Sequence, residues 1–130
     1  MKILVGYDGS KAAEDAIAMA QKHAKVFNAD LNIMTSLLQS PTLSKADIEK
    51  AENKLEKYKR SAELENIACE THACVSYQSP GEDLVQFADD HEIDEIVIGV
   101  RRRSKVGKMV FGSTAQFVIL KASCPVLSVK

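Results

Sequence analysis

Ile96-Val97-Ile98-Gly99-Val100-Arg101-Arg102-Arg103-Ser104-Lys105-Val106-Gly107-Lys108-Met109-Val110-Phe111-Gly112-Ser113 joins three structural signals in eighteen residues. A continuous β-branched run ends at Gly99, a basic loop with a further glycine follows, and Gly112-Ser113 opens a helical pattern. Strand, loop and helix N-terminus thus succeed one another. The first amides of a helix have no intrahelical acceptor and sit at the positive end of its dipole, so such a loop is suited to an anion.

The rest of the chain repeats the alternation. Lys2 to Tyr7 contains Ile3-Leu4-Val5, the uninterrupted apolar run of a strand buried on both faces. Asp8-Gly9-Ser10 ends it, and Ser10 is a good N-cap for a helix whose apolar face is Ala13, Ile17, Ala20, Ala24 and Phe27. Asn28-Ala29-Asp30 is turn chemistry. Leu31 to Ser36 reads as a second strand, with Leu31 and Ile33 on one side and Met34 on the other. Leu37 to Thr42 is the connection, and Ser44 with Asp47 resembles a capping pair before the stripe Ile48, Ala51, Leu55, Tyr58 and Ala62.

Cys69 to Tyr77 alternates, which places it near a sheet edge. Ser79-Pro80 starts a third helix, with Glu82 and Asp83 in its first turn. Ser113 to Ala122 forms a fourth, apolar on most sides through Phe117, Val118, Ile119 and Leu120, and is expected to be deeply buried. Cys124-Pro125 breaks it, and Val126 to Val129 is the last strand.

Helical crossovers between successive strands imply a parallel sheet covered on both faces, an α/β doubly wound architecture. Ligands of such sheets lie outside the carboxyl ends of the strands where the winding direction reverses. The first and fourth strands are the most apolar and are the expected central pair. Asp8-Gly9-Ser10 and the loop from Gly99 to Ser113 then line one crevice.

Composition narrows the function. The chain has 130 residues, 45% of them hydrophobic, a size that suits one domain over residues 1–130. A net charge of −1 gives no global attraction to nucleic acid or anionic membrane. No apolar run approaches the ~18 residues of a membrane span, and Met1-Lys2-Ile3 leads directly into a strand without a signal peptide. A cytoplasmic protein is expected. Cys69, Cys74 and Cys124 have neither disulfide nor zinc spacing. His23, His72 and His91 have no i, i+4 partner for a metal. Gly107-Lys108-Met109 lacks the Ser or Thr that a P-loop needs after its lysine. No nucleophile is paired with a base in a recognisable catalytic signature, so no catalytic residue is expected.

Tyr7-Asp8-Gly9-Ser10, Pro80 with Glu82, Gly99 with Gly112-Ser113, and Cys124-Pro125-Val126-Leu127 together resemble the universal stress protein family, in order along essentially the whole chain. The resemblance implies a five-stranded parallel sheet in the order 3-2-1-4-5. It also implies binding of ATP or AMP, with Mg²⁺ accompanying ATP, and a homodimer formed through Val126 to Val129. Nucleotide-binding members carry a phosphate loop Gly-x2-Gly-x9-Gly-(Ser/Thr) and an Asp after the first strand, which match Gly99, Gly112, Ser113 and Asp8. Gly9 and Ser10 accompany Asp8, and Ser36 is placed near the adenine.

The second motif glycine falls on Arg102. Arginine loses the backbone freedom of glycine there. Two outcomes are open: Arg101, Arg102 and Arg103 reach phosphates through their guanidinium groups, or Arg102 obstructs the pocket and leaves a nucleotide-free dimeric interaction module.

Overall fold

The computed structural model describes residues 1–100 and 112–130. Nine elements alternate: β1 (Lys2–Gly6), α1 (Lys11–Phe27), β2 (Asp30–Leu38), α2 (Lys45–Leu64), β3 (Cys69–Ser76), α3 (Pro80–Asp90), β4 (Glu95–Gly99), α4 (Ser113–Lys121) and β5 (Val126–Val129). The strands form one sheet in the order β3-β2-β1-β4-β5, with every pairing parallel. The winding therefore reverses between β1, which continues outward through β2 and β3, and β4, which continues through β5.

Alternate residues of each strand feed two cores. Ile3, Val5, Leu31, Ile33 and Val97 pack with Ala16, Ile17, Ala20 and Ala24 of α1 and with Leu55 and Ala62 of α2. Leu4, Met34, Ile96 and Ile98 pack on the opposite face with Leu84 and Ala88 of α3 and with Ala115 and Val118 of α4. The run Ile3-Leu4-Val5 is fully buried because helices cover both sides of the central strand. Alanines on α1 let that helix approach the sheet closely.

Local signals set most boundaries. Ser10 Oγ accepts the Ala13 amide and starts α1, while Asn28 adopts the left-handed conformation (φ 53°) that ends it. Reciprocal capping boxes open α2, between Ser44 and Asp47, and α3, between Ser79 and Glu82. The cap hydrogen bonds hold the Asp47 carboxyl below its ordinary 3.8.

Three local expectations are corrected. β2 runs on through Leu37 and Leu38, because β3 continues beside it and supplies ladder partners as far as Ser76. Phe27 does not join the apolar face of α1. It lies 54% exposed at the helix terminus with its ring edge-on to His23. α4 is not deeply buried: Ala115 and Val118 are, but Ile119 is 43% and Leu120 72% exposed. The helix packs on α3, where Phe117 closes over Gly81, and on the edge of the sheet. Among the described residues nothing covers its outer side.

Candidate functional site

Parallel connections bring the N-termini of all four helices to the carboxyl edge of the sheet. β1 and β4 lie side by side, with Val5 paired to Val97. Beyond their ends opens a cavity of about 190 Å³. Gly6, Tyr7, Asp8, Ser10, Ala12 and Ala13 form one wall, and Met34 and Ser36 come from β2. Ile98 and Gly99 of β4, residues 112–115 around the start of α4, and Pro80 and Leu84 of α3 complete it.

The helix starts differ in chemistry. Ser10, Ser44 and Ser79 each cap their helix with a hydroxyl, and carboxylates of Asp47 and Glu82 complete the caps of α2 and α3. At α4 the N-cap is Gly112, with no side-chain cap hydrogen bond. Ser113 is the first helical residue. Gln116 donates to the Gly112 carbonyl, and residues 112–115 line the cavity at the end of the helix that carries the partial positive charge. This end is suited to an anion of two or more oxygens.

The opposite wall is polar in another way. Asp8 is exposed, and its Oδ1 accepts the Ser10 amide at 2.9 Å, which closes a tight turn over Gly9. Gly9 has φ +85°, a conformation that glycine adopts without steric cost, and lies outside the cavity wall. Ser10 is occupied as a cap, so the remaining Asp8 carboxylate oxygen is the one charged acceptor group on the wall among the described residues. Ser36, half-buried on β2, has its hydroxyl 3.9 Å from the Met34 sulfur, a weak acceptor. It can turn to a better one.

Gly99 lines the cavity for a reason the spacing did not reveal. A Cβ there would run into the Ala12 carbonyl and stand 2.9 Å from the Ala13 nitrogen. Its lack of a side chain lets β4 touch the first turn of α1. A Cβ at Gly112, by contrast, would meet no atom within 4 Å among the described residues. Asp8, Ser10, Ser36, Gly99, Gly112 and Ser113 are thus brought together around one cavity, whereas Arg101, Arg102 and Arg103 lie outside the described residues.

Sequence reasoning missed the apolar part of the wall: Met34, Leu84 and Ile98 carry no polar signal, and Pro80 reads as a helix start and as part of the family resemblance, without a place in the cavity. Their position at strand and helix ends was the available signal. The β3–α3 corner that delivers Pro80 and Leu84 is fastened by Ser76, whose hydroxyl lies 2.8 and 2.9 Å from the two carboxylate oxygens of buried Asp83.

Other reactive groups are engaged elsewhere. Nδ1 of His23 meets Glu95 at 2.9 Å, His72 meets Asn32 at 3.1 Å, and His91 Nδ1 lies 3.0 Å from the Phe87 carbonyl. Burial raises the Cys74 and Cys124 thiols above their ordinary value and pushes Cys69 up to about 11, which leaves little thiolate near neutral pH. Among the described residues no group of three or more His, Cys, Asp or Glu side chains is placed to hold a metal. Mg²⁺ commonly takes one or two carboxylates plus substrate phosphates. Asp8 is the carboxylate the described wall offers, across the cavity from the α4 terminus.

Known proteins share both sequence and architecture with this chain. The universal stress protein family model matches residues 1–130. A universal stress protein of Thermus aquaticus, from the QAH/OAS sulfhydrylase 3′ region, is 31% identical over 134 residues, covering 98% of this chain and 97% of the relative. The solved universal stress protein of Archaeoglobus fulgidus superposes with a TM-score of 0.89 at 35% identity, over 100% of this chain and 98% of that one. A structure of the Archaeoglobus fulgidus universal stress protein in complex with dAMP superposes with a TM-score of 0.84 at 32% identity, over the same shares. Several solved relatives of this fold contain adenine nucleotides. With the sheet order, the winding reversal and the whole-length match in agreement, the chain belongs to the universal stress protein family.

Proposed function

We propose that residues 1–130 act as one universal stress protein domain that binds an adenine nucleotide, AMP or ATP, at the carboxyl ends of β1 and β4, in a cytoplasmic regulatory role. The carrying observation is the cavity that joins an N-terminus without a side-chain cap to Asp8 and Ser36 on the opposite wall. In this reading the base and ribose meet Asp8 and Ser36 beside Met34. Phosphate lies toward Gly99, Gly112 and Ser113, and Arg101, Arg102 and Arg103 supply guanidinium donors in place of the motif glycine. The dAMP complex of the similar Archaeoglobus fulgidus protein supports the ligand class. Mg²⁺ would enter with ATP, on its phosphates. Hydrolysis is at most slow, and the site acts by binding.

Calorimetric titration of ligand-stripped protein with AMP, ADP and ATP tests this reading. Saturable heat is expected for at least one of them, and no heat for any at millimolar ligand would overturn it.

A second reading is favoured by the exposed Ile119 and Leu120 beside the edge strand β5. Here the output is a homodimer through Val126 to Val129, with Arg102 closing the pocket to nucleotide. Loss of the nucleotide heat together with a concentration-independent dimer would select it.

A further inference from the structure

Tyr7 forms part of the cavity wall, yet its ring packs into the α1/α2 core, where it meets the ring of Tyr58 with centroids 5.0 Å apart and planes tilted by 59°. Its backbone is fastened to β2. The Tyr7 amide donates to the Met34 carbonyl at 2.8 Å, and the Tyr7 carbonyl accepts from the Thr35 hydroxyl at 3.0 Å. Asp8 follows directly, and its carboxylate accepts the amide of Ser10, which is tied to the first turn of α1 through its own hydroxyl and carbonyl. The Asp8 turn is thus held from two sides, by the α1 cap after it and by Tyr7 before it.

α2 is otherwise loosely embedded. Of its twenty residues only Leu55 and Ala62 are buried, and the helix supplies no residue to the cavity wall. Tyr58 lies one turn beyond Leu55 on the same stripe and is its contact with the residue that carries Asp8.

We propose that Tyr58 is a positioning residue for the nucleotide site: its ring holds Tyr7 in place and thereby sets the Asp8 turn, so that α2 takes part in ligand binding without touching the ligand. The proposal rests on the nucleotide reading above. A ring fixed by packing can hold a neighbour to within the few tenths of an ångström that a binding constellation requires. Burial, and next the adjoining Tyr7 phenol, hold the Tyr58 hydroxyl far above its ordinary 10. Tyr58 is accordingly neutral at working pH, and its ring rather than a charge does the holding.

The test compares wild type, Tyr58→Phe and Tyr58→Leu in two measurements. One is calorimetric titration with AMP. The other is amide exchange of Ser10 without nucleotide, taken relative to Leu31, whose amide donates to the Ala68 carbonyl. Tyr58→Leu should weaken AMP binding roughly fivefold or more, as substitutions off a ligand commonly do when they act on a coupled contact, and should speed Ser10 exchange selectively. Tyr58→Phe keeps the ring and should stay within about twofold of wild type. A global loss of stability speeds Leu31 as well and cancels in the ratio.

Unchanged affinity and unchanged relative exchange in Tyr58→Leu would overturn the proposal, as would equal damage from Phe and Leu. If wild type binds no AMP, the nucleotide reading fails separately. The exchange ratio then decides positioning alone: selective loosening in Leu but not in Phe sustains it, and no change ends it.

Discussion

The alpha carbon of Gly99 lies against the carbonyl of Ala12, so closely that a methyl group between them would overlap backbone atoms on α1. Unlike a flexible side chain, that backbone cannot yield, because Ala12 belongs to the first turn of a helix capped by Ser10. Gly99→Ala should destabilise the fold by about 1–3 kcal/mol or more through overpacking. Gly112→Ala meets no close neighbour among the described residues at φ −64° and should cost no more than about 1 kcal/mol, the usual difference between residues at an N-cap. Urea unfolding midpoints of the two variants check the contrast. Equal midpoints would refute the close approach.

Asp8 supplies the carboxylate of the cavity wall with one oxygen already used by Ser10. A charge-assisted bond to the nucleoside contributes about 1.5–3 kcal/mol, so Asp8→Ala should weaken AMP roughly tenfold to a hundredfold. Calorimetry reads the loss. Affinity equal to wild type would remove Asp8 from the site.

Acid should loosen the β3–α3 contact through His72. Desolvation, with a smaller contribution from His91 against the opposing pull of Glu70, holds this imidazole below its ordinary 6.5. Its Nε2 lies 3.1 Å from Asn32, and Phe87 is packed between the His72 and His91 rings, at 4.6 and 3.9 Å between centroids. Because the native value is depressed, the unfolded chain binds the proton more readily. Stability is complete above pH 6.5 and falls as pH drops below it, until the native His72 also titrates. Thermal melts across pH 8 to 4 should show this limb, attributed by an NMR titration of the ring, and His72→Gln should flatten it. A limb of undiminished slope in that variant would assign it to other groups.

Leu120 is 72% exposed, and β5 is an edge strand beside α4. An apolar face adjoining an unpaired strand edge is a site for self-association. Sedimentation velocity should find a dimer in wild type and a monomer in Ile119→Glu with Leu120→Glu, with monomer stability changed by less than about 0.5 kcal/mol per exposed site. A monomeric wild type would end the homodimer assignment.

Much of this arrangement was legible in the chain because strong local signals coincide with global placement. Ile3-Leu4-Val5 and Ile96-Val97-Ile98 could be read as central strands because only strands covered on both faces tolerate such runs. Ser10, Ser44 and Ser79 announced three helices by their caps. The failures have a common physical source, since residue type does not say which neighbours the fold provides. Phe117 to Leu120 looks like a core helix until its place beside the sheet edge is known. Leu37 and Leu38 looked like loop until β3 supplied partners. At the site, Asp8 and Gly112 carried polar or conformational signals, whereas Met34 and Leu84 looked like every other core residue. Gly99 was visible as the end of a strand run, but the Ala12 contact that explains its lack of a side chain joins segments far apart in the chain.

Three helices of this protein start at serine caps and the fourth at glycine. Binding at a serine-capped terminus must first break an internal hydrogen bond, at a cost of about 1 kcal/mol. At α4 the N-cap glycine has no side chain to compete, so an anion arriving there displaces no cap hydroxyl. Its discrimination among the four helix starts is therefore already built into the unliganded chain by the choice of one small residue.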